Sequence, residues 1–435
     1  MLELDDIQGL TVRGYNLPVG RYIFLQITDA GKAQQWLAQI AAEITNATPR
    51  PDKLPACVNV AFSYNGLRAL GLPQPSLDTF ADEFRQGIVQ RAEMLGDTGS
   101  SSPEHWEGGF GTEQMHVMFM LFAQDLGSLE ALSSRHRALL EQSGGTSELS
   151  FQDVQALPGI KEHFGYRDGI SRVLIEGSQQ EPMPHEVAIK PGEFVLGYPD
   201  QLGDMPPFPQ PEMLGRNGSY LVYRKLHQDV AAFRRFLHEQ VGSDEQVEWI
   251  AAKLMGRWRS GAPLVLAPNG DDLVLAEDSQ RNADFNYAAM DARGLACPIG
   301  AHIRRVNPRD TQPEIERTRH LLVRRGLPYG PPLPEGAPDD GADRGVAGVL
   351  VNASLARQFE FVQRVWINNK KFDGLENDKD PIVGDNDGTY DHTIQAWPVR
   401  KRLHGLPRFV TVKGGEYFFL PGIKALRFIA AGSTT

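Results

Sequence analysis

The chain has 435 residues, 41% apolar and 23% charged, a composition that excludes a largely disordered protein. Its 44 Lys and Arg against 55 Asp and Glu leave a net charge of −11, which excludes a chain built to blanket nucleic acid or anionic lipid. Two cysteines, Cys57 and Cys297, exclude a disulfide framework and any Cys-based zinc or iron–sulfur site. One hydrophobic core stops growing near about 250–300 residues, so this length predicts more than one domain.

In chain order, residues 21–29 (RYIFLQITD) read as a strand, and Asp29 caps a helix through about residue 45. Ala33, Trp36, Leu37, Ile40, Ala41 and Ile44 share its apolar face. Residues 56–64 and 115–124 are strands, 126–143 a helix, and 149–157 a weak last strand. The order β-α-β-β-α-β is that of a ferredoxin-like unit. The Pro-rich stretch 198–218 has no period and reads as a long connection. The order then recurs, with strand 219–226, helices 228–241 and 247–258, strands 320–325 and 345–353, and helix 354–368. A hairpin of 408–412 with 416–420 and a helix over 423–430 close the chain. The fold class predicted is α+β, two ferredoxin-like domains of antiparallel sheet with peripheral helices, the second enlarged by insertions.

The N-terminus opens acidic, without a secretory or twin-arginine leader, and no stretch approaches the ~18 apolar residues that span a bilayer. With so few cysteines this points to the cytoplasm and to no membrane or nucleic-acid partner.

Three short stretches carry groups capable of chemistry. In GYRDG (165–169) Asp168 sits between glycine-supported turns; taken alone, an Asp before Gly is most often a turn former. In CPIGAHIRRVNPRD (297–310) His302 lies among small and apolar residues with Arg304, Arg305 and Arg309 beyond it. Such a histidine is either a metal ligand, including a proximal haem ligand, or a core residue bonded to a carbonyl; the arginines suit carboxylates such as haem propionates. In HLLVRRGLPYG (320–330) the adjacent Arg324 and Arg325 must point to opposite faces of a strand, so that one can enter a pocket. The run Asp378–Asp391 lacks EF-hand spacing and reads as Asp/Asn-rich turns.

Together with EHFGYRDGIS, GEFVLGY, RQFEFVQRVWINN and RFVTVKGGEYFFL, these motifs resemble the dye-decolorizing peroxidase family, in its longer bacterial and fungal-like branch, over essentially the whole chain. The resemblance implies a dimeric α+β barrel-like superfamily and a haem-dependent peroxidase that reduces hydrogen peroxide and oxidises dyes and other aromatic reductants. It implies haem b as cofactor, an N-terminal domain over 1–175 that ends with the GYRDG loop, and a haem-binding domain over 176–435. His302 is then the iron ligand, Asp168 and Arg324 the catalytic pair, Arg309 a propionate partner, and Asp380 the acid that accepts the His302 N–H. Family members carry a bulky aliphatic and an aromatic residue over the haem on the strand that here reads Gly348-Val349-Leu350-Val351, where the aromatic is missing. Tyr329, Tyr390, Trp366 and Trp397 are the candidates for passing electrons from bulky reductants. The alternative function is haem storage, delivery or iron release, and a homo-oligomer is compatible with either reading.

Overall fold

The computed structural model describes residues 1–241 and 243–432. Strands β1 (Val19–Ile27), β2 (Ala56–Phe62), β3 (Val117–Ala123) and β4 (Thr146–Gln155) form the first half of the main sheet. Strands β5 (Ser219–Gln228), β6 (Val323–Arg324), β7 (Leu327–Tyr329) and β8 (Gly345–Asn352) belong to the second. A separate two-stranded sheet, β9 (Tyr390–Ile394) with β10 (Lys401–Leu406), precedes β11 (Val410–Leu420), which completes the main sheet.

Every pairing is antiparallel, in the order β4-β1-β3-β2-β11-β5-β8-β6, with β7 also on β8. Each half therefore runs last, first, third, second, the ferredoxin-like order. In the second half the second strand is split into β6 and β7. Gly326 lies at the split, where a Cβ would sit 2.6 Å from the Ala347 carbonyl. The halves join through a single pair, Phe419 on β11 with Phe62 on β2. Strand β4 also lies beside β7, so the sheet curls toward a barrel.

Local chemistry starts the crossover helices. Asp29, Asp125 and Asp229 each follow a strand and accept a backbone N–H, from Lys32, Ser128 and Ala232, at 3.0, 2.8 and 2.8 Å. They cap helices Ala30–Ile40, Leu126–Ser143 and Val230–Gln240; one such cap is worth about 1 kcal/mol.

Two elements differ from the sequence reading. The expected hairpin 408–420 is one strand, β11, paired with β5 throughout and bulged between Val412 and Gly414. Gly414-Gly415 resembles a turn in sequence, but the Lys413 carbonyl accepts the Glu107 N–H at 2.8 Å and the strand continues past the bulge. The expected α-helix 354–368 is π-helical over Ala356–Glu360 and Val362–Ile367. Leu355, Phe359, Val362 and Trp366 are buried, and a buried face of that spacing does not distinguish the two windings.

The barrel interior is aromatic, with Phe24 and Phe110 ring centroids each 5.0 Å from that of Tyr223. Glu416 pairs with Tyr223 across β11–β5 and shares that interior. Burial there pushes its carboxyl up to about 8, against one hydrogen bond from the Tyr417 N–H. The folded state thus keeps a proton that an ordinary glutamate of the unfolded chain, titrating at 4.5, has already released. Stability therefore falls as pH rises from about 4.5 to 8, by at most ~1.4 kcal/mol per pH unit. Glu416→Gln is expected to raise the melting temperature at pH 8 and leave it nearly unchanged at pH 5; thermal denaturation across this range checks it.

Candidate active site

The sheet positions one functional side chain directly; three others hang from its connections. Arg324 ends β6. Asp168 lies in the connection from β4 to β5. His302 comes from the insertion between helix Val230–Gln240 and β6, and Asp380 from the insertion before β9.

His302 opens a one-turn helix, His302–Val306, after Gly300 and Ala301. Its Nδ1 lies 2.9 Å from Asp380 Oδ2. Asp380 is fully buried, and its Oδ1 accepts the N–H groups of Ile382 and Val383 at 2.9 and 3.0 Å. Burial opposes charge on Asp380, but the His302 charge and these hydrogen bonds hold its carboxyl below the ordinary aspartate value. An ionised carboxylate only accepts, so His302 Nδ1 carries the shared proton. Burial likewise disfavours imidazolium, and the Asp380 carboxylate overcomes it, leaving His302 above its usual value. Among the described residues Nε2 has no protein partner, and the side chain is one-fifth exposed. The free nitrogen is therefore presented to open space.

Arg304 and Arg305 are spent on holding this segment. Arg304 donates to the carbonyls of Asp291 and Cys297 at 3.0 and 3.1 Å, and Arg305 to those of Trp366, Ile367, Asn369 and Asp378. Both are fully buried, so neither is available to a bound anion.

Gly165 and Gly169 turn the GYRDG loop with φ of +95° and +72°. The Asp168 N–H donates to the Ile160 carbonyl at 2.8 Å, and its Oδ1 accepts the Gly169 N–H at 2.7 Å. Arg324 Nη1 lies 3.6 Å from the same Oδ1, and both side chains are half exposed. Arg325 takes the opposite side of the chain, donating to the Leu10 carbonyl at 2.8 Å, and burial lowers it to about 10. The charges of Arg324 and Asp168 both act on His302, with no direct bond between either of them and it. Histidine and ion pair are thus close enough to interact through their charges.

Arg309 adopts a left-handed φ of +52°. Its Nη1 donates to the Ala283 and Phe285 carbonyls at 3.0 and 2.7 Å, and its guanidinium carbon stands 3.8 Å from the Phe285 ring centroid. Sequence reading missed its neighbours Arg257 and Arg317. Burial lowers all three; Arg309 further lowers Arg257, Arg317 lowers Arg309, and Arg324 also lowers Arg257. This is a cluster of like charges in which Arg257 is buried and Arg309 and Arg317 are partly exposed. Arg257 lies in the stretch Gly256-Arg-Trp-Arg-Ser260, which has no pattern to reveal it. Of the four aromatic candidates for electron transfer, Trp397 is 83% exposed, whereas Tyr329 and Trp366 are buried.

A family model described as the DyP dimeric alpha+beta barrel domain matches residues 6–155. A dye-decolorizing peroxidase of Mycena epipterygia is 33% identical, over 99% of this chain and 87% of its own. A solved dye-decolorizing peroxidase in complex with 2,6-dimethoxyphenol is 29% identical, covers 99% of this chain and 100% of its own, and superposes with a TM-score of 0.86. A fungal DyP-type peroxidase structure from Auricularia auricula-judae, 27% identical, covers 99% of each chain with the same TM-score. The chain belongs to the dye-decolorizing peroxidase family and is a peroxidase with an α+β barrel fold. No described helix is long and apolar enough to cross a membrane.

Proposed function

We propose that this peroxidase binds haem b on His302 Nε2 and uses Asp168 and Arg324 to cleave hydrogen peroxide, oxidising phenols and dyes in one-electron steps. The observation that carries the reading is the half-exposed Asp168–Arg324 pair, near enough for both charges to act on a histidine whose Nε2 has no partner among the described residues. The donor set fits a haem. No described group of three or more His, Cys, Asp or Glu is placed around a metal, so an iron held by one histidine must bring its other ligands with it. The partly exposed Arg309 and Arg317, with Arg257 behind them, fit the two propionates, whose negative charge would relieve the repulsion within this cluster.

Haem supplies the redox chemistry when bound. The chain supplies the rest. Asp168, as carboxylate, accepts the proton from one peroxide oxygen and returns it to the other, the one that leaves as water. Arg324 is a fixed cation beside that oxygen and stabilises the negative charge that grows as the O–O bond breaks. Asp380 holds the proton on His302 Nδ1, which fixes the ring and makes Nε2 a stronger donor. Replacing it as Asp380→Asn is expected to cost ~10–100-fold in activity and to raise the reduction potential, read by spectroelectrochemistry.

We take residues 1–175 and 176–435 as the two domains, since β4 ends the first ferredoxin-like order before the GYRDG loop. Both cysteines are buried and unpaired, which suits the reducing cytoplasm as the enzyme's compartment. The test is a titration of the haem-loaded protein with peroxide and 2,6-dimethoxyphenol. About two phenols oxidised per peroxide support the reading. Haem binding without peroxide-dependent phenol oxidation would instead favour haem storage or delivery.

A further inference from the structure

Arg324 is held by very little strand. β6 has two residues, with Val323 paired to Val351 and Arg324 to Leu350, where a usual strand has about 5–6. Hydrogen-bonded pairs alternate along an antiparallel ladder, and the Arg325 N–H donates to the Val349 carbonyl at 2.8 Å. The register therefore makes Val323–Val351, and then Leu321–Ala353, the next pairs of that kind. The Leu321–Ala353 rung is closed by a side chain. Gln358 Oε1 accepts the Ala353 N–H at 3.1 Å, and Gln358 Nε2 donates to the Leu321 carbonyl at 2.8 Å. The amide thus stands where the backbone groups of β6 and β8 would otherwise meet.

The rest of the same amide is used as well. Oε1 also accepts the Ser354 N–H at 2.9 Å, and Nε2 also donates to the Glu193 carbonyl at 2.8 Å. Gln358 is fully buried, and both donors and both acceptor positions of its amide are filled. Glu193 lies in the β4–β5 connection that also carries Asp168, and Leu321 leads into β6. One amide therefore ties together the two backbone segments that carry the Asp168–Arg324 pair. Its neighbour Arg357 braces both: its Nη2 lies 2.7 Å from Glu193 Oε2, and its carbonyl 2.6 Å from His320 Nδ1.

We propose that Gln358 is a positioning residue for peroxide cleavage, its amide serving as a rung of the β6–β8 ladder that sets where the Arg324 guanidinium stands relative to Asp168. The proposal rests on the role given to Arg324 above. A fixed cation stabilises growing charge only where it already stands beside the departing oxygen, and a displacement of about 1 Å can cost on the order of 10²-fold in rate. Two ladder pairs and a half-exposed side chain do little to prevent such a displacement. The buried amide supplies the missing restraint from behind, without touching peroxide itself.

The experiment follows the first peroxide-dependent spectral change, and the later phenol-dependent one, in haem-loaded parent, Gln358→Leu, Arg324→Leu and the double variant. Gln358→Leu is expected to keep haem, slow the peroxide step by about 10–10²-fold and leave the phenol-dependent step unchanged. Added to Arg324→Leu it is expected to cost nothing further, because its effect passes through that guanidinium. A parental peroxide rate in Gln358→Leu overturns the proposal. So do losses that multiply in the double variant, or an equal slowing of both steps, since either marks a general structural effect. Gln358→Glu keeps the test open if the leucine variant does not fold. Its carboxylate retains the acceptors without a donor, and its protonated form regains one donor. Its peroxide rate relative to parent is therefore expected to rise as pH falls, and a ratio that is parental or does not rise overturns the proposal. Should Arg324→Leu itself react at the parental rate, the reading beneath the proposal fails with it; parental rates confined to the Gln358 variants overturn the proposal alone.

Discussion

His302→Ala is expected to purify with little haem and no peroxide-dependent phenol oxidation, the largest effect of any single substitution in the site. Its Nε2 has no partner among the described residues, the charges of Asp168 and Arg324 reach it, and no described cluster of side chains could hold a metal in its place. The fold is expected to survive. Removing the ring takes away the Nδ1 donor of the buried Asp380, but Asp380 Oδ1 keeps the N–H groups of Ile382 and Val383. A buried acceptor that loses one of several partners costs about 1–3 kcal/mol, which thermal denaturation measures directly. Adding free imidazole should restore part of the haem absorbance, because the truncated side chain leaves a ring-sized space beside Asp380. Full haem occupancy with an unaltered spectrum in His302→Ala would remove this residue from the role of ligand.

Asp168→Asn and Arg324→Leu are expected to keep haem and stability while losing the reaction with peroxide. Losing a proton-transfer group costs about 10²–10⁴-fold, and losing one fixed charge-stabilising donor about 10²–10³-fold. The stability cost is small because the pair is half exposed and 3.6 Å apart, and such pairs contribute about 0–1 kcal/mol. The neighbouring arginine behaves in the opposite way. Arg325 is desolvated and donates to the Leu10 carbonyl, so Arg325→Leu is expected to lower the melting temperature and leave the peroxide step of the folded fraction nearly intact. Rate constants for the first peroxide-dependent spectral change, measured beside melting temperatures, separate the two arginines.

Much of the fold is written locally. The strands of the first half announce themselves by apolar runs, and the aspartates at 29, 125 and 229 mark where helices begin. The β-α-β-β-α-β order of the first half and the recurring order of the second appear as two runs of the same sheet order. What stayed hidden depends on partners far away in sequence. Gly414-Gly415 looks like a turn until β5 is laid along both sides of the bulge. The seam between the halves is one pair, Phe62 with Phe419, 357 residues apart by the difference of their numbers. In the site, Asp168, His302, Arg324 and Asp380 stand out only through motifs read together, since each alone has an ordinary structural explanation. Arg304 and Arg305 looked equally suited to an anion, yet backbone carbonyls consume both. Arg257 and Arg317 carry no motif and join the cation cluster through tertiary packing alone.

The central claim is that Asp168 and Arg324 act together on one peroxide molecule. A double-mutant cycle tests it most directly, using the second-order rate constant for peroxide with the haem-loaded parent, Asp168→Asn, Arg324→Leu and the double variant. The expected result is strong non-additivity, the double variant reacting about as slowly as the slower single one, because residues that act as a unit lose their effect together. Rate losses that simply multiply, or a peroxide step unchanged in both single variants, would contradict a shared site.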